Sequence, residues 1–157
     1  MFLQEVFQPE FIKVEIEAED KDEAFEELVD YFCHVEKLNA RDEILDALIE
    51  REAKMSTGIH KGIAVPHGKT NVVEKVRGVL GVSRKGVDYD ALDGEPVYLL
   101  FMLIAPREDS EKHLRILKRL AELLENPQFY TDLVAQRNSQ DVYKVICKYE
   151  DMLIALD

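Results

Sequence analysis

The run VYLLFMLIA at 97–105 is the feature that most constrains the fold. Side chains alternate between the two faces of a strand, so a strand that is apolar at every position must be covered on both faces. The run therefore predicts a central strand, from Pro96 to Ala105, with Pro106 as its stop. It is too short to span a bilayer as a helix.

The rest of the chain supplies the cover. FIKVEIEA at 11–18 alternates apolar and polar residues and predicts a half-buried strand. Asp20 and Glu23 form a capping-box pair for a helix running to about Lys37, with Ala24, Phe25, Leu28, Val29 and Phe32 on its inner face. A second helix over Arg41–Ala53 carries Ile44, Leu45, Leu48 and Ile49 on one side. Short strands are predicted at Ile63–Val65 and Val79–Ser83, and a turn at Tyr89–Glu95. A long helix follows, capped by Asp109 or Ser110, with the stripe Leu114, Ile116, Leu117, Leu120, Ala121, Leu123 and Leu124. Pro127 opens a short helix and Ser139 caps the last one. Strands interleaved with helices, without repeats or a linker, indicate one α/β domain over residues 1–157 with helices over a central sheet.

Charge and cysteine usage narrow the function. Thirty-two acidic residues against twenty basic ones give a formal charge of −12, which argues against nucleic-acid binding. The N-terminus lacks a signal-peptide pattern. Cys33 and Cys147 show no paired spacing, so a reduced, cytoplasmic compartment is expected, with no disulfide framework and no zinc ribbon.

Chemistry concentrates in GIHKGIAVPHGK at 58–69. Pro66 biases Val65 towards extended backbone, and Gly68 permits a sharp exit. The strand is thus expected to end by presenting His67 on a turn at a sheet edge, either to satisfy that turn or to meet a ligand. With Ser110 as N-cap, His113 is expected at the third helical position, where a helix N-terminus welcomes an anion and disfavours imidazolium. Taken alone, an ordinary surface histidine fits as well. Arg51 ends the second helix and serves either the helix dipole or an anion that its planar fork would grip. His34 is expected to be structural and His60 solvated. A zinc site from His60, His67 and His113 matches no metal signature, and neither a nucleophile elbow nor a P-loop occurs.

Two blocks together carry a resemblance. REAKMSTGIHKGIAVPHG at 51–68 and ALDGEPVYLLFMLIAPREDSEKHLRILKRLAELL at 91–124 resemble the phosphocarrier IIA domain of the fructose/mannitol class of the bacterial phosphotransferase system, nearest its fructose-specific and nitrogen-regulatory branch. The resemblance covers nearly the whole chain. It implies a central mixed β-sheet flanked by helices on both faces. It implies that His67 accepts a phosphoryl group from the phosphohistidine of an HPr-like carrier and passes it to a cysteine of a IIB domain in sugar uptake, or that its phosphorylation controls regulatory partners. It places His113 beside the phosphorylated ring and Arg51 in the pocket. Backbone N–H groups of Ser56, Thr57 and Gly58 are expected to hold phosphoryl oxygens. No metal or organic cofactor and no membrane insertion are implied, and the chain is expected to stand free of IIB and IIC segments. Ile59 and Ile63 are expected as apolar neighbours of an open site, and Asp109 and Glu111 as an acidic rim that steers a basic donor.

Overall fold

A computed structural model describes residues 1–58 and 61–156. The apolar run forms β5 (Val97–Ala105), antiparallel to the long β4 (Arg77–Val87), at the centre of a five-stranded mixed sheet. β1 (Ile12–Lys13) lies parallel to β4 on one side, and β2 (Ile63–Ala64) and β3 (His67–Lys69) lie parallel to β5 on the other. Along β5, Leu99, Phe101, Leu103 and Ala105 enter one core, while Leu100, Met102 and Ile104 enter a second on the opposite face. The first core is closed by α1 (Leu3–Val6), α4 (Ser110–Leu124), α5 (Pro127–Ala135) and α6 (Ser139–Ala155). The second is closed by α2 (Lys21–Glu36) and α3 (Arg41–Glu52). Each fully buried Leu, Ile or Phe in these layers contributes roughly 1.5–3 kcal/mol. The three-layer arrangement is the one the apolar run demands.

Local chemistry sets the element ends. The Asp20 side chain accepts from the Glu23 N–H at 2.9 Å and starts α2, and the left-handed Lys37 (φ 56°) ends it. The expected strand at 11–18 is cut to β1. A 3-10 turn occupies Pro9–Phe11, and the N–H groups of Glu17 and Ala18 donate to the Glu27 carboxylate on α2 instead of to a strand. Asn138 caps α6 instead of Ser139, its side chain accepting from the Asp141 N–H. The fully buried Glu150 of α6 accepts from the N–H groups of Leu3 and Gln4, at 2.6 and 3.0 Å, and so ties α1 to the last helix. Among the described residues no helix is long and apolar enough to cross a membrane.

Candidate functional site

The edge of the sheet beyond β5 is one strand broken at Pro66. β2 and β3 share a register on β5, with Ile63 opposite Leu99 and His67 opposite Leu103. Pro66 has no N–H to give, which an edge strand tolerates, and its carbonyl still accepts from the Leu103 N–H at 2.9 Å. His67 therefore opens β3 instead of sitting on a turn after the strand has ended. Gly68 serves packing and not a turn, and its φ is not positive. A Cβ there would stand 2.7 Å from the Ala47 carbonyl oxygen and 3.0 Å from the Ala47 Cβ. The bare glycine lets α3 settle directly on β3. Arg51 lies one helical turn beyond Ala47 on the same face, so the same contact brings its guanidinium towards His67.

The His67 ring is half-buried, with Nδ1 2.8 Å from the Val65 carbonyl oxygen. A carbonyl only accepts, so the proton sits on Nδ1 and the lone pair on Nε2. Burial lowers the His67 pKa below the ordinary histidine value. The Val65 hydrogen bond opposes that shift, and the Arg51 and Lys69 charges add to it. The ring is therefore neutral near pH 7.

His113 lies deeper than the sequence suggested. Asp109 is the N-cap residue, its carbonyl accepting from the His113 N–H at 3.1 Å, which moves His113 to the fourth helical position. Its side chain is only 3% exposed, and its ring meets that of His67 edge to face with centroids 5.5 Å apart. Burial, then the His67 and Lys69 charges, push its pKa down to about 4. Its Nε2 is buried and has no hydrogen-bond partner among the described residues.

These rings stand at a hollow of about 320 Å³ lined by four cationic side chains, Arg51, Lys54, Lys69 and Arg107, against one carboxylate, Glu50. Lys69 Nζ donates to the Ser110 hydroxyl at 2.7 Å, and Arg51 donates to the Met55 carbonyl at 2.9 Å. Arg51 thus satisfies its own helix end while also facing the cavity. On the other side of His67 lies an apolar groove of about 230 Å³, lined by Val65, Leu117, Leu120, Ala121 and Leu124, and bordered by Arg51 and Thr57. The His67 imidazole thus separates a cationic chamber from an apolar one.

Other expected participants fall elsewhere. The Thr57 N–H and hydroxyl donate to the buried Glu52 carboxylate at 2.8 and 2.6 Å, and the Gly58 N–H donates to the Ser56 hydroxyl at 3.2 Å. The N–H groups of Thr57 and Gly58 are thus engaged within the loop. Ile63 is 2% exposed and belongs to the core, because its side chain points under the sheet edge. His34 is exposed on the last turn of α2. Asp109 and Glu111 pair with Lys112 and Arg115, and neither is among the residues that line the hollow. His60 and Ile59 lie outside the described residues. Lys54, Lys69 and Arg107 were not singled out from sequence. Lys69 directly follows the His67-Gly68 pair, and Arg107 directly follows the strand-ending Pro106.

Comparison with known proteins gives this geometry a context. Residues 5–149 match the family described as "Phosphoenolpyruvate-dependent sugar phosphotransferase system, EIIA 2". The chain is 36% identical over 139 residues to a "PTS system fructose-specific EIIA component" from Haloferax volcanii, covering 88% of this chain and 90% of that one. It is 34% identical over 150 residues to a "PTS system fructose-specific EIIABC component" from Bacillus subtilis. That match covers 96% of this chain but only 24% of the Bacillus protein. Among solved structures it is similar to the nitrogen regulatory protein IIA-Ntr from Neisseria meningitidis, with a TM-score of 0.84, 28% identity, and coverage of 92% of this chain and 98% of that one.

Proposed function

Because the chain belongs to the EIIA type 2 family of the phosphoenolpyruvate-dependent sugar phosphotransferase system, we propose that it is a phosphocarrier in which Nε2 of His67 is the acceptor and the phosphorylation state of His67 controls regulatory partners. One observation carries the acceptor assignment. A neutral imidazole, fixed through Nδ1 to the Val65 carbonyl, stands at the mouth of a hollow lined by four cations. In the proposed step the N–P bond of a phosphohistidine on an HPr-like donor breaks as a bond from phosphorus to Nε2 of His67 forms. The donor imidazole leaves neutral. The proton on Nδ1 of His67 stays on its hydrogen bond to Val65 and spreads the charge the ring gains. Phosphoryl transfer asks for alignment and charge neutralisation more than for covalent help. Arg51, with Lys69 and Arg107 behind it, supplies the charge, and the edge-on ring of His113 limits how the group turns. The apolar groove along α4 is suited to the surface of a partner protein, because it lies against the same ring.

The regulatory reading is favoured by the likeness to the nitrogen regulatory IIA structure over 98% of that chain. A second reading, relay to a IIB cysteine in sugar uptake, is favoured by the fructose-specific relative of matching length. The test begins with a phosphoenolpyruvate-fed relay ending in phospho-HPr. One acid-labile phosphate is expected, absent from His67→Ala. Undiminished label in that variant would overturn the acceptor. Presenting the phosphoprotein to IIB domains then separates the readings. Rapid, stoichiometric loss of phosphate to a IIB cysteine supports the relay, and retention supports the regulatory role.

A further inference from the structure

Beneath His67 lies a group of buried polar side chains that the proposed phosphoryl step does not use. Glu52, the residue after Arg51, is 8% exposed, an unusual depth for a carboxylate. Its oxygens accept from the Thr57 N–H at 2.8 Å and the Thr57 hydroxyl at 2.6 Å. Lys21 Nζ of α2 stands 3.1 Å away, and the Tyr89 hydroxyl donates at 3.3 Å. The Tyr89 hydroxyl also meets the Thr57 hydroxyl at 2.8 Å. Burial and the Glu52 charge raise the Tyr89 pKa far above the ordinary range, so the phenol keeps its proton as a donor. The carboxylate is thus fully engaged, with Lys21 as its counter-charge. This is the condition under which a buried charge is tolerated and its removal is costly.

The chain of contacts continues upward. The Thr57 carbonyl accepts from the Val65 N–H at 3.1 Å, and the Val65 carbonyl accepts from Nδ1 of His67 at 2.8 Å. Glu52 therefore holds Thr57 by two bonds, Thr57 holds Val65, and Val65 holds the imidazole. Val65 precedes Pro66, so it sits where β2 has left the ladder and β3 has not yet begun. The Pro66 carbonyl on its far side is held by the Leu103 N–H, and the bond from the Val65 N–H to the Thr57 carbonyl is the restraint on its near side.

We propose that Glu52 is a positioning residue for His67, acting through Thr57 and Val65 to hold the imidazole with its proton on Nδ1 and its lone pair on Nε2. The inference rests on His67 being the acceptor, and it adds the device that decides which nitrogen accepts. A ring that can reorient or change tautomer offers either nitrogen to phosphorus. A ring tied at Nδ1 offers one. Residues acting through a fixed carbonyl tune a histidine as partners beyond the ligand shell do at metal centres, by choosing its tautomer and orientation.

The test reads the ring directly. Long-range proton–nitrogen correlation spectra of the full chain, labelled at histidine, report the His67 tautomer in the unphosphorylated protein. Phosphorus spectra of the phosphoprotein separate the two phosphohistidine isomers. The wild type is expected to show one tautomer and only the Nε2 isomer. In Glu52→Gln the minor tautomer should rise roughly three- to tenfold, the worth of one or two hydrogen bonds, and the Nδ1 isomer should appear. Glu150→Gln is the control. It removes a still more deeply buried carboxylate from the N–H groups of α1, far along the chain, and should lower stability without touching the His67 tautomer. An unchanged tautomer and isomer ratio in folded Glu52→Gln overturns the proposal, and so does the same change in Glu150→Gln. If Glu52→Gln does not fold, Thr57→Val decides by the same criteria, with Thr57→Ser expected to restore the wild-type spectrum. If the wild type accepts no phosphate, the acceptor assignment falls, while the tautomer measurement still decides whether Glu52 orients the ring.

Discussion

Gly68→Ala is the smallest change that should separate the site's geometry from its chemistry. The added methyl group would lie 2.7 Å from the Ala47 carbonyl oxygen, 2.8 Å from its carbonyl carbon and 3.0 Å from its Cβ. Contacts that short are repulsive, and the two nearest atoms are helix backbone, which cannot rotate aside. α3 must therefore lift from β3 by a few tenths of an ångström or more. Overpacking of this kind costs about 1–3 kcal/mol. Arg51, one turn along α3, would retreat from His67 with the helix. A misplacement near 1 Å can cost about 10²-fold in rate, so the phosphorylation rate should fall by more than the stability loss alone explains. The chemical groups themselves are untouched. Urea unfolding and initial phosphorylation rates by phospho-HPr, measured on the same preparations, give both quantities. Ala47→Gly in the same chain should not restore either, because the clash is with backbone and not with the alanine methyl. Wild-type stability and rate in Gly68→Ala, or full rescue by Ala47→Gly, would refute the claim that bare backbone at this position sets the distance between α3 and β3.

The remaining predictions address single side chains. His113→Ala should still accept phosphate at His67 but pass it on about 10²–10³-fold more slowly, by analogy with the loss of one stabilising donor near developing charge; single-turnover transfer in both directions checks this. Arg51→Ala should lower the phosphorylation rate by a similar factor while moving the unfolding free energy by only about 0.3–1 kcal/mol, the worth of a cation at a helix end, as thermal and urea melts would show. Because the His113 pKa falls from 6.5 to about 4 on folding, the unfolded chain binds a proton that the folded chain refuses between those values, so wild-type stability should drop as pH falls from 6.5 towards 4. That drop should exceed the one in His113→Gln by up to roughly 3 kcal/mol, read from urea midpoints at pH 7, 5.5 and 4.

How much of this was legible depends on the range over which each feature is determined. The central strand was readable because double-faced cover is forced by one uninterrupted apolar run. The inner face of α2 was readable for the same local reason, since Ala24, Phe25, Leu28, Val29 and Phe32 repeat at helical spacing. The strand at 11–18 was over-read, because alternation cannot report that Glu27, on a helix still to come, takes the N–H groups of Glu17 and Ala18. The depth of His113 did leave a signal. Counted with the buried Ile116, Leu120 and Leu123, it stands at the head of the inward stripe, whereas Leu114, which a hydrophobicity reading puts in that stripe, is 67% exposed. Charge was the least legible feature. A net charge of −12 gives no hint that the hollow beside His67 is lined by Arg51, Lys54, Lys69 and Arg107. Net charge is a sum over the surface, and a site is a local difference from that sum. Arg51 comes from α3, Lys69 from β3, and Arg107 from the turn after β5, three segments far apart in sequence. Only the close approach of α3 to β3 and the parallel register of β3 on β5 bring them together. The same convergence suits a phosphate dianion, because Arg51 and Lys69 are already oriented by their hydrogen bonds to the Met55 carbonyl and the Ser110 hydroxyl and need little reorganisation when the charge appears.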